Sequence, residues 1–146
     1  MSYVGPRFEN GAGWTIMPAA VRLDDGDILV ALRCGEPVGG DRPWRHWIEL
    51  LRSTDVGRSW VSVPTWQAPD TGRNGNPPTL SRLADGRLAI VYGYRDQPFG
   101  IRARVGHPDR GWADVTLRDD GGTADLGYPR TVVLPDGTLL TAYYFA

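Results

Sequence analysis

Ser53-Thr54-Asp55-Val56-Gly57-Arg58-Ser59-Trp60 separates two apolar runs, Trp47-Ile48-Glu49-Leu50-Leu51 and Trp60-Val61-Ser62-Val63. The order Ser-x-Asp-x-Gly-x-Ser-Trp reads as a strand-to-strand turn that carries its own fastening. An Asp carboxylate accepts hydrogen bonds from backbone N–H groups one or two residues on, and Ser hydroxyls do the same more weakly. Gly57 supplies the positive φ that a tight hairpin turn needs. Trp60, just past the turn, offers a large apolar face with one N–H to satisfy.

Outward from this turn, the chain repeats itself. Pro18–Leu32, Pro78–Tyr92 and Pro129–Tyr143 align without a gap, each a short apolar run, an Asp-Gly pair and a second apolar run. Asp-Gly between apolar runs is a strong hairpin signal. The turn glycines Gly26, Gly86 and Gly137 stand 60 and 51 residues apart. A period near 50 with four short strands per unit is the spacing of β-propeller blades. Apolar segments are short and rich in Val, Ile, Leu and Tyr, and no helical period persists for three turns. The class expected is all-β.

The strands predicted for the first unit lie near 16–23, 28–34, 47–52 and 60–66, with the Ser53–Trp60 turn joining the last two. In the second unit they flank Asp85-Gly86 and then lie near 100–105 and 112–117. Gly106–Trp112 reads there as a shorter, degenerate version of the same turn. The third unit has only its first two strands. One partial propeller spans residues 1–146, with repeats at about 14–66, 74–118 and 125–146, or about two and a half four-stranded antiparallel blades of a ring of about six. The first and last sheets should each expose an apolar face that a neighbouring blade buries. Either the polypeptide is a piece of a longer product, or two chains pair to complete the ring.

Composition narrows the partners. A formal net charge of −1 gives no electrostatic reason to expect nucleic acid or a membrane surface. All 16 basic Lys and Arg positions are Arg, the better residue for forked contacts to carboxylates. Cys34 is alone, which rules out an intrachain disulfide and a cysteine zinc site. His46 and His107 are isolated, in expected loop or edge positions, so no metal and no cofactor is expected. No signal-peptide core is visible at Met1–Arg7, which points to the cytoplasm.

The Ser53–Trp60 stretch resembles the Asp-box, the bacterial neuraminidase repeat of sialidases and other β-propellers. There Ser53, Asp55, Gly57, Ser59 and Trp60 are structural and remote from the catalytic face. The resemblance extends through the first unit. Pro18 matches the first-strand proline, Gly26 the turn glycine, Arg33 an arginine after the second strand, and Asp41 the loop aspartate. One position departs: Ile16 stands where sialidases carry the first arginine of a carboxylate-binding triad, and an aliphatic chain cannot make a bidentate charge-assisted bond.

The resemblance implies an exo-acting glycoside hydrolase on a terminal, anionic or other, sugar. Asp41 would be its general acid/base, and Arg33 and Arg95 would line the sugar site. Arg73, Asn76, Asp125, Tyr128 and Arg130, near the starts of the second and third units, are further candidate sugar contacts. Each has a plainer alternative. Asp41 reads equally as a solvated loop residue or a partner of Arg42, Arg33 as a strand-end residue paired with Glu36, and the repeated arginines as supports for neighbouring loops. Tryptophans near strand ends, among them Trp14, Trp44, Trp47, Trp66 and Trp112, either stack on sugars or, for most, pack between blades. The tyrosine nucleophile of sialidases comes from later blades. Two other functions stay open: another carbohydrate-active propeller enzyme such as a uronate-directed lyase, and a non-catalytic glycan- or protein-binding module.

Overall fold

The computed structural model describes residues 13–40, 43–74 and 77–146. They form ten strands: β1 (Trp14–Arg22), β2 (Ile28–Pro37), β3 (Trp44–Ser53), β4 (Val61–Ser62), β5 (Thr79–Arg82), β6 (Leu88–Tyr94), β7 (Gly100–His107), β8 (Gly111–Arg118), β9 (Leu126–Val133) and β10 (Leu139–Phe145). Two antiparallel four-stranded sheets, β1-β2-β3-β4 and β5-β6-β7-β8, are followed by a two-stranded one, β9-β10. The described residues contain no helix, and none is long and apolar enough to cross a membrane.

The three Asp-Gly hairpins are copies of one another. In each, the leucine before the turn exchanges backbone hydrogen bonds across it: Leu23 with Asp27 and Gly26, Leu83 with Arg87 and Gly86, Leu134 with Thr138 and Gly137, at 2.7–3.1 Å. In each, an Asp Oδ1 accepts the N–H two residues on: Asp25 from Asp27 at 3.0 Å, Asp85 from Arg87 at 3.0 Å, Asp136 from Thr138 at 2.9 Å. Those bonds favour the carboxylate and lower the pKa of Asp85 and Asp136.

The Ser53–Trp60 turn closes on Asp55. Its Oδ1 accepts the N–H groups of Arg58 at 2.9 Å and Ser59 at 2.8 Å, and its Oδ2 accepts the Ser59 hydroxyl at 2.6 Å. The buried Ser53 hydroxyl donates to Asp55 Oδ1 at 2.9 Å and accepts the Gly57 N–H at 2.8 Å. With so many donors, led by Ser59, the Asp55 pKa falls to about 2. Gly57 takes φ +82°, as its type allows, but Val56 is held at φ +61°, a region β-branched residues avoid. Trp60 Nε1 donates to Gly57 O at 3.2 Å.

Sheets stack through alternating faces of their strands. Leu29, Ile48 and Leu50 of the first meet Leu80, Leu88, Ile90 and Tyr92 of the second, with Val63 and Trp66 filling the seam. The opposite face of the second sheet (Val91, Ile101, Ala103) meets Leu126, Leu139, Tyr143 and Phe145 of the third. The leading strands lie side by side, β1 on β5 and β5 on β9. Thr79 and Ser81 share hydrogen bonds with Thr131 across the second junction, and Arg82 pairs with Asp24 across the first.

Three expectations are corrected. The fourth strand of the first unit is only Val61–Ser62 rather than 60–66, because Pro64 has no N–H for the ladder and Trp66 N–H turns back onto Val63 O at 3.0 Å. The Gly106–Trp112 turn is a tight hairpin in which His107 Nδ1, not a carboxylate, accepts the Asp109 N–H at 3.2 Å; Asp109 instead reaches Arg52 of the first unit at 2.9 Å. An apolar face is bare on the last sheet, where Val132, Leu140 and Tyr144 are exposed. On the first sheet the outward residues Val30, Leu32, Cys34, Trp47 and Leu51 are buried as a second small core, with Ile28 and Trp60 packed on it.

Candidate functional site

Cross-strand register assembles the site. Trp14, Gly35 and His46 lie in one row across β1, β2 and β3. A Cβ on Gly35 would meet the Trp14 ring at 2.5 Å, so only glycine leaves the slot in which the two outer rings meet. The Trp14 and His46 centroids are 5.6 Å apart, and Trp44 stacks on His46 at 6.4 Å and 16°. His46 is therefore a buried strand residue, not the loop or edge residue expected. Trp14, Arg33, Pro43, Trp44, His46, Arg73 and Asn74 line a cleft of about 470 Å³, within the size range of small-molecule sites.

Arg33, on β2, packs its guanidinium over the Trp14 ring at 4.9 Å, with Met17 Sδ 3.9 Å from Nη1. Nη2 donates to Asn74 O, at the threshold of the second unit, while Nε is buried without a hydrogen-bond partner. Burial and, second, the neighbouring Arg95 guanidinium lower the Arg33 pKa, and Tyr128 opposes them. Arg95, just past β6, repeats the arrangement one unit on: Nε and Nη2 both donate to Leu126 O, at 3.0 and 2.9 Å, and the guanidinium lies 5.6 Å from the Tyr128 ring centroid.

Elsewhere Arg45, Arg52, Arg82, Arg87, Arg104 and Arg118 each hold a carboxylate. Among the described residues Arg33 and Arg95 hold none, as is also true of Arg22, Arg58, Arg102, Arg110 and Arg130; what sets Arg33 and Arg95 apart is that they neighbour each other. Glu36, the partner open to Arg33 on sequence grounds, belongs to Arg45 at 2.5 Å. These are two neighbouring cations with no counter-charge among the described residues.

Backbone strain concentrates around the same pair. Of four non-glycine residues with positive φ among the described residues, Met17 (+54°), Asn74 (+60°) and Tyr128 (+51°) contact or adjoin Arg33 and Arg95. Met17 sits at the point where the β1–β2 register shifts between Ile16 and Ala19.

The other expected positions divide. Arg73 lines the cleft, 78% exposed and 3.6 Å from Asp96. Asp125 accepts the Tyr144 hydroxyl at 3.1 Å, and Arg130 donates to Pro129 O at 3.1 Å; neither lines the cleft, nor do Arg95 and Tyr128. Asp41 and Asn76 lie outside the described residues, although Pro43 and Trp44, which follow Asp41 in the chain, are on the cleft wall. Trp47 and Trp66 are packing residues: both are buried, and Trp66 meets Trp112 edge-on at 4.9 Å. Among the described residues no three His, Cys, Asp or Glu side chains gather as a metal ion requires.

What sequence reasoning missed is the Trp14–Gly35–His46 row. Its signal was a glycine inside an apolar strand, a mark of close approach by another group.

Fold and site together define an all-β chain of repeated antiparallel sheets with a cationic, aromatic-walled cleft at its strand ends. No family model matches the sequence, and no curated protein matches it at a significant level. Among solved structures the chain is similar to a protein of unknown function from Dyadobacter fermentans, with 31% sequence identity and a TM-score of 0.70. The match covers 92% of this chain and 35% of that one, so the chain spans about a third of that protein's length.

Proposed function

We propose that the three units are blades of a sialidase-like β-propeller, and that the cleft lined by Arg33, with Arg95 beside it, is the sugar site of an exo-acting glycoside hydrolase. The observation that carries this reading is the pair itself: two adjacent guanidiniums, one half-buried, each oriented by a main-chain carbonyl and neither neutralised by a described carboxylate. Charge-assisted bonds to such a pair favour a carboxylate-bearing sugar, and Trp14 and Trp44 supply aromatic faces beside it. Strained residues around the pair fit a site held in place by its surroundings. Asp41 is the acid/base in this reading, and a second catalytic group is required from outside the residues named.

The test is turnover of fluorogenic glycosides of acidic sugars, N-acetylneuraminic acid among them, by the natural gene product. Asp41→Asn should lower kcat by roughly 10²-fold or more, while Arg33→Met should act mainly on KM. Absence of turnover across the panel, with glycan binding retained and lost in Arg33→Met, would replace hydrolysis by a binding function. Ile16, at the place of the first triad arginine, is the observation that favours that second reading.

A further inference from the structure

A second polar cavity, lined by two arginines and two aspartates, lies away from the cleft, where the segment leaving the first unit passes over β7 and β8. Pro69 and Asp70 form one wall, and Tyr92, Tyr94, Arg102, Arg104, Asp114 and Thr116 the other, around about 320 Å³. Its distinguishing group is Arg102. Register puts Arg102 opposite Tyr92 on one side and Thr116 on the other, so it shares their face of the sheet. Its guanidinium is clamped flat on the Tyr94 ring, 3.4 Å from the centroid.

The carboxylates in this cavity are occupied elsewhere. Asp114 holds Arg104 through both oxygens, at 2.6 and 3.3 Å, and Asp70 Oδ1 accepts the Gly72 N–H at 2.9 Å. Arg104 in addition donates to Gln67 O and lies 5.3 Å from the Trp66 ring centroid. Arg102 forms no ion pair and no hydrogen bond with any described residue, and its Nε is buried. A guanidinium carries five N–H donors in a fixed fork. One held rigid by stacking, at a cavity wall with hydroxyls beside it, is pre-organised for an acceptor that the chain itself does not supply.

We infer that Arg102 is the anchor of a second anion site, which takes an oxyanion group, carboxylate or sulfate, on the fork of Arg102 with the Thr116 and Tyr94 hydroxyls at hand. This site is independent of the cleft lined by Arg33 and does not require that the cleft be catalytic.

The experiment is a titration of the 146-residue chain followed by the NMR resonances of its arginine Nε–H groups. Sodium acetate and sodium sulfate are the probes, and sodium chloride at equal ionic strength is the control. Arg102→Met assigns the Arg102 signal by its disappearance, with circular dichroism to check folding. The expected result is a saturable, millimolar shift of the Arg102 signal by acetate or sulfate and not by chloride, unchanged in Arg33→Met. Whichever probe binds more tightly identifies the group, planar or tetrahedral. An Arg102 signal that stays still in both, or moves equally in chloride, overturns the inference. If Arg102→Met does not fold, Arg102→Lys assigns the signal instead, and the wild-type titration decides alone.

Discussion

Replacing Ser53 by alanine removes one oxygen from the β3–β4 turn, and the structure says what that oxygen does. It accepts the Gly57 N–H at 2.8 Å, donates to Asp55 Oδ1 at 2.9 Å, and lies in a residue only 1% exposed. A typical hydrogen bond contributes about 0.5–1.5 kcal/mol net, and a buried donor left bare costs up to about 3 kcal/mol. Asp55 keeps its side-chain bonds from Arg58 and Ser59, so the loss is one good bond to its carboxylate, one orphaned Gly57 N–H, and a long 3.4 Å contact from the Asp55 N–H. That sum is about 1.5–2.5 kcal/mol. In urea unfolding the midpoint should fall by about 0.5–1.5 M at an unchanged slope. Ser59→Ala should be milder, because the exposed Ser59 side chain leaves Asp55 Oδ2 open to water. The double mutant should be non-additive, since both hydroxyls converge on one carboxylate. A Ser53→Ala midpoint within error of wild type would refute the claim that this turn is fastened from its serine.

Three further expectations follow from the same geometry. Because the folded Asp55 pKa is depressed to about 2, its contribution is complete above the unfolded value of about 4 and is lost as pH falls through 2. Acid unfolding profiles should therefore steepen between those values in wild type and flatten in Asp55→Asn. Val56, exposed at φ +61°, should tolerate asparagine with a gain of about 1 kcal/mol, seen as a raised melting temperature; a loss would mean that its side chain packs in a way the turn depends on. Cys34 is fully buried with its thiol pKa pushed up to about 12, chiefly by desolvation, so at pH near 8 a disulfide reagent should label it only as fast as the protein unfolds. Labelling faster than unfolding would mean that local opening exposes β2.

The parts of the fold that sequence made legible are those whose information is local. An Asp-Gly pair carries both the acceptor and the positive φ of its turn within three residues, and all three hairpins formed where expected. The Asp55 turn likewise contains its own donors. Arg33 was singled out by its match to a sialidase arginine and Arg95 as its counterpart one unit on, yet the carbonyls they hold, of Asn74 and Leu126, lie 41 and 31 residues away. No local pattern announces such partners. The aromatic wall needed the pairing of three strands, and the His46 ring changed from a loop group to a buried one once Gly35 was seen to lie between it and Trp14. β4 ended early for a reason written in the sequence, Pro64, which outweighed the apolar run around it.

The arginine-to-carbonyl bonds have a consequence for how any ligand would be felt. Arg33 and Arg95 each reach out of their own unit to the backbone leading into or starting the next, so the groups that would meet an anion also tie successive units together. Drawing a guanidinium toward a ligand would load the Asn74 carbonyl before the second sheet or the Leu126 carbonyl at the start of the third. A substitution that removes either arginine should therefore weaken the contact between successive units as well as any anion binding.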